Sequence, residues 1–136
     1  MHQQLIFAPM AALALMTFAV LAQVPFRRFK AGAAGQIKAD DFKYGESASV
    51  PGHVSIPNRN YMNLLELPTL FYVASLMFFV TKKVDAIAIG IAWAYVGLRV
   101  IHSIIHLTYN NVRHRVVPFA VSNFVLMIYW AWFFMS

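Results

Sequence analysis

The sequence predicts an all-α membrane protein, a bundle of four transmembrane helices, from three observations. Hydrophobic residues make up 60% of the 136-residue chain and charged residues 12%, against about 45–50% and about 25% in soluble domains. The apolar residues gather into four runs, each near the roughly 20 residues that cross a hydrocarbon core. The basic residues behind the net charge of +6 stand mostly at the ends of those runs, so no nucleic-acid surface is expected. The length is about that of one domain, and a soluble fold of that size has no room to hide so much apolar surface.

The first run is LIFAPMAALALMTFAVLA, a span over about residues 5–23. Its leading MHQQ carries no lysine or arginine, and no clean A-x-A site follows, so it reads as a retained span and not a cleaved signal peptide. Positive charge comes after it, in PFRRFK. Residues 24–60 form a polar loop rich in glycine and proline, with a helical extension of the first span expected to end near GAAG. The second span covers about residues 61–80, the third about 86–109 and the fourth about 116–135, joined by TKKVD and NNVRHR. In lipid a backbone must satisfy its own hydrogen bonds, so runs of this length form helices. Tyr129, Trp130 and Trp132 near the end of the fourth run suit an interfacial belt. The chain has no cysteine, which excludes disulfides and a cysteine nucleophile. Any thiol must arrive with a substrate.

The polar residues inside the spans point to a site. Read as one helix, AYVGLRVIHSIIHLTYNNVR places Tyr95, Arg99, His102, His106, Tyr109 and Arg113 at steps of four and three, within an arc of about 80°. On the second span Arg59, Asn63 and Glu66 follow the same spacing. A charge at the bilayer centre costs at least ~2.5–3.5 kcal/mol, so Glu66 and Arg99 are expected to face each other or a wet cavity. The two stripes then outline an arginine-rich crevice open at one membrane face. Other readings stay open at this point. Glu66 and Arg99 also suit a pair that ties two helices, buried histidines usually serve packing, and Arg113 and Arg115 suit topology signals. Two histidines at i, i+4 lack a third zinc ligand, and haem lacks a histidine on another span. No metal is expected.

RNYMNLLELP followed by LRVIHSIIHLTYNNVRHR resembles the membrane-associated proteins in eicosanoid and glutathione metabolism, the MAPEG family, with the bacterial branch and the microsomal glutathione transferases most similar. The resemblance covers all four spans, and its specific motifs lie between residues 59 and 115. It implies a MAPEG-like homotrimer with glutathione as co-substrate, bound at subunit interfaces, and a lipophilic electrophile drawn from the membrane lipids. By that resemblance Arg59, Asn63 and Glu66 hold the tripeptide, Glu66 taking its amino group or ordering Arg99, and Arg27 or Arg28 clamps a carboxylate. Arg113 matches the arginine that stabilises the thiolate and is the candidate catalytic residue. His102 and His106 stand where leukotriene-forming synthases carry tyrosines, and Pro68 comes one residue earlier than in those enzymes. Glutathione needs several cations and one carboxylate, and an adjacent guanidinium favours the nucleophilic thiolate. Two rival functions use the same crevice: binding an anionic amphiphile without turnover, and seating a partner helix.

Eight Lys and Arg residues (Arg27, Arg28, Lys30, Lys38, Lys43, Arg59, Arg113 and Arg115) fall on one side of the spans, and Lys82 and Lys83 on the other. The positive-inside rule then puts the long loop in the cytoplasm and both termini in the periplasm of a bacterial inner membrane. A topology reporter fused after Ser136 is expected to read periplasmic, and one inserted near Gly45 cytoplasmic. The opposite pair of readings would overturn this orientation.

Overall fold

The computed structural model describes residues 2–43, 48–109 and 111–136; Gly45 and Glu46 of the long loop and Asn110 of the last turn lie outside them. Four helical stretches, Gln3–Ala33, Gly52–Val80, Ala86–Leu107 and Val112–Met135, are long and apolar enough to cross a membrane. The chain is therefore an integral, multi-pass membrane protein built as a four-span helical bundle.

Helix α1 covers Phe7–Ala33 and ends in a closed cap. Gly35 takes φ +76, its N–H bonds to Gly32 O at 3.1 Å, and Gln36 N–H bonds to Ala31 O at 2.9 Å. This is the Schellman arrangement, which needs a residue tolerant of positive φ. The loop that follows packs Ile37 and Phe42 against Ala31, Val50 and Val54, so its described part is seated on α1 and α2. Arg28 adds a guanidinium 4.2 Å from the centre of the Phe42 ring.

The second span is two helices, α2 (Gly52–Leu65) and α3 (Leu67–Val80), separated at Glu66 with φ −83 and ψ −99. Pro68 causes the break. It has no N–H to offer the Leu64 carbonyl, and its ring clashes with a continuing helix one turn back. Glu66, on the kink, stays exposed.

Helix α4 covers Ala86–Leu107 and α5 covers Val112–Met135. The unbroken helix expected over residues 94–113 is therefore corrected to one ending at Leu107. Thr108 leaves helical backbone angles (φ −100, ψ −99). Asn111 Oδ1 then accepts the N–H groups of Arg113 at 3.0 Å and His114 at 3.2 Å, starting a new helix in the manner of an asparagine N-cap. Tyr109 falls in the turn and Arg113 in the first turn of α5, so neither extends the α4 stripe.

α4 packs against α5 and α1, and α3 lies along α5. Between them runs an aromatic core. Phe71 stacks on Tyr95 at 5.0 Å and on Tyr129 at 5.6 Å, and Phe78 meets Tyr129 at 4.9 Å and Phe133 at 5.2 Å. The Tyr129 hydroxyl pairs with Ser75 Oγ at 2.9 Å, which satisfies two polar atoms that burial would otherwise penalise. The end away from the long loop is stapled. Gln3 exchanges bonds with both backbone groups of Val84, and Asp85 caps α4 through Ala88 N–H while accepting Trp132 Nε1–H.

Candidate functional site

A crevice of about 470 Å³ opens between α2, α4 and α5. Its polar lining is Arg59, Asn63 and Glu66 from α2 and the kink, His102 and His106 from α4, and Arg115 from α5; Ile56, Met62, Val116 and Phe119 supply the apolar wall. The spacing of four and three on α2 puts its three polar residues on one face, as the helical period requires. The histidines at i, i+4 share a face of α4 in the same way, with ring centres 5.8 Å apart.

Arg99 lies behind this crevice, not in it. Its side chain is fully buried, Nη2 donates to the Asn63 carbonyl at 3.2 Å, and the guanidinium carbon is 5.6 Å from the centre of the Phe119 ring. Among the described residues Nε and Nη1 have no partner, and neither do the Tyr95 hydroxyl one turn away or Asn60 Nδ2. Among the described residues Arg99 and Glu66 make no ion pair. Glu66 faces the crevice and Arg99 the interior, so of the two placements expected for Glu66 the structure shows the open cavity. Asn60 is fully buried and within 3.5 Å of Ser103 Oγ, a second polar link between α2 and α4 that the sequence reading passed over.

The remaining candidates are elsewhere. Arg27 donates to His53 O at 3.0 Å and Leu107 O at 3.5 Å, and lines a separate cavity with Lys30, Gln36 and Thr108. Arg28 borders a third cavity beside Phe42 and Ile37. Arg113 is exposed and is not among the crevice residues. The crevice cation from α5 is Arg115, which from sequence alone suits no role beyond a topology signal. Asn111 held the missing signal: as an N-cap it resets the helical count, and Arg115, Val116 and Phe119 then share the face toward α4. Among the described residues no three His, Cys, Asp or Glu side chains gather in a metal-binding group.

The lining can hold a small zwitterionic anion. Two guanidiniums offer forked donors to carboxylates, Glu66 accepts an ammonium group, and Asn63 adds an amide. In comparison with known proteins, the family model described as MAPEG family matches residues 6–135. No curated protein and no solved structure matches the chain.

Arg99 also gives a stability test. A buried charge whose donors lack partners is costly, and apolar replacements of buried ionic groups are often neutral or stabilising by about 1–4 kcal/mol. Arg99→Met is therefore expected to leave the unfolding midpoint of the ligand-free protein in detergent unchanged or higher. A clear fall would mean that the bond to Asn63 outweighs the burial of the charge.

Proposed function

The chain belongs to the MAPEG family, which includes glutathione transferases and related proteins, and from that premise we propose that it binds glutathione in the crevice and directs its thiolate at lipophilic electrophiles. The observation that carries this reading is the composition of one cavity: two arginines, an asparagine, two histidines and a single carboxylate on three helices. In this reading Arg59 holds a glutathione carboxylate, Glu66 holds the ammonium group and Asn63 a backbone amide. Arg115, not Arg113, stands beside the sulfur. Arginine suits that place because it stays charged where a lysine would lose its proton. The electrophile reaches the sulfur from the membrane along the apolar wall of Met62, Val116 and Phe119.

The same reading includes a homotrimer. Glu66 is exposed at a kink inside an apolar span, where lipid contact is costly. A second copy laid over the crevice shields it. Arg27 and Arg28, which border other cavities in their own subunit, then serve as clamps for a neighbour's ligand. The expected mass in mild detergent is that of three chains; a stable monomer would remove the shared site.

Titration of the purified protein with glutathione at neutral pH is expected to raise the ultraviolet band of a thiolate. A positive charge within ~4–6 Å lowers a thiol pKa by roughly 1–3 units, so Arg115→Ala should cut the bound thiolate about tenfold or more. Arg113→Ala should keep it. The reverse pattern would restore Arg113 to the sulfur, and equal losses would indicate only a diffuse positive patch. Binding with no thiolate band in the wild type would favour a non-catalytic site for anionic amphiphiles.

A further inference from the structure

The two histidines of the crevice do different work from its arginines. His102 Nδ1 lies 3.3 Å from the backbone carbonyl of Arg115. A carbonyl oxygen has no proton to give, so Nδ1 is the donor, and in the neutral ring Nε2 must be the bare acceptor. That Nε2 is buried and has no partner among the described residues, and the same is true of His106 Nδ1. Both rings are at least nine-tenths buried, at 2% and 4% exposure, yet both line the crevice with Arg59 and Arg115. The carbonyl that orients His102 belongs to the residue whose guanidinium we place beside the sulfur. Imidazole held by a backbone carbonyl through one nitrogen, with the other free, is the arrangement of an oriented base.

Building on the glutathione reading, we propose that the His102–His106 pair accepts the thiol proton, so that bound glutathione is held as a thiolate–imidazolium pair. The S–H bond breaks, its electron pair stays on sulfur, and the proton passes to an unpartnered ring nitrogen. On His102 the new N–H forms without a ring flip, because Nδ1–H is already bonded to the Arg115 carbonyl. The charge of the site is unchanged, since the proton moves within it. The charged groups facing the pair are Arg59 and Glu66 from α2 and its kink, Arg99 from α4 itself and Arg115 from α5. The arginines oppose an imidazolium in the empty crevice. The carboxylates and thiolate of the bound tripeptide, together with Glu66, offset that repulsion. Protonation of the pair is therefore tied to ligand binding. None of the arginines can take the proton at neutral pH, so without the histidines it has to leave for solvent.

Proton counting tests this. Glutathione is added to the detergent-solubilised protein in weak buffer at neutral pH, with an indicator dye for released protons and the thiolate band read in parallel. The wild type is expected to form thiolate with far less than one proton released for each. In His102→Gln/His106→Gln, each remaining thiolate should be matched by roughly one released proton, because the internal acceptor is gone. S-Methylglutathione, which has no thiol proton, should still bind the double variant and so report an intact crevice. A wild type that releases one proton per thiolate overturns the histidine assignment and leaves the glutathione reading standing, as does a double variant that keeps wild-type retention. A double variant that no longer binds S-methylglutathione makes the histidines structural and also overturns it. If neither glutathione nor S-methylglutathione binds the wild type, the glutathione reading fails and the assignment with it.

Discussion

A single bond organises the site: the buried Arg99 guanidinium donating to the Asn63 carbonyl at 3.2 Å. An arginine inside a membrane bundle needs an acceptor, and an unbroken helix has few carbonyls to lend because each already serves the residue four positions on. Pro68 changes that locally. It withholds its own N–H, breaks the span at Glu66, and lets the last turn of α2 diverge from α3. The Asn63 carbonyl at that break, which accepts the Glu66 N–H at a long 3.4 Å, also accepts from Arg99. The kink therefore fixes how α4 sits against the second span, and the same kink sets Glu66 at the edge of the crevice while Asn63 turns its side chain toward it.

The two ends of the bundle are built to opposite rules. At one end Gln3 and Val84 exchange two hydrogen bonds, Asp85 caps α4 and accepts from Trp132, and Lys83 reaches the Phe133 carbonyl at 3.5 Å. Those contacts join the first span, the turn before α4 and the last turn of α5. Below them Phe71, Phe78, Tyr95, Tyr129 and Phe133 pack as one aromatic column. At the other end α2, α4 and α5 separate around the charged side chains of Arg59, Glu66 and Arg115. Packing is concentrated where nothing has to enter. Unsatisfied atoms of Asn60, Tyr95, Arg99, His102 and His106 lie in and behind the crevice, where a polar ligand would have much to gain.

Much of this was legible in the residues. Runs of about twenty apolar residues have few alternatives to helices in lipid. On α4 Tyr95, Arg99, His102 and His106 are all buried, as their shared arc required. The α2 set of Arg59, Asn63 and Glu66 lines one cavity. The arc failed at its far end for a specific reason. Steps of four and three continue numerically through Tyr109 to Arg113, although the helix does not. Periodicity marks a face only while the backbone stays helical, and Asn111 stops that by capping a new helix with its side chain. Of the two placements open to Glu66, an Arg99 pair or a cavity, the structure shows the cavity. Spacing fixes the side of a helix a residue occupies, but the kink at Glu66 turned that side outward.

The result is a division of labour among the charged groups. Arginines hold anions and cannot exchange protons at neutral pH, so Arg59 and Arg115 are fixed positive posts in the crevice and Arg99 a third behind it. Glu66 is the crevice's carboxylate and, in the proposed reading, is taken up by the ligand's ammonium group. That leaves the imidazoles as the proton-exchanging groups nearest the sulfur. One of them is already oriented by the backbone of Arg115. At these two positions the choice of imidazole over a phenol matters for a bound thiol. A phenol has an ordinary pKa near 10 and serves as a donor, whereas a neutral imidazole presents a bare nitrogen. In the proposed reading the imidazoles can therefore accept the thiol proton, where phenols could only donate to the sulfur.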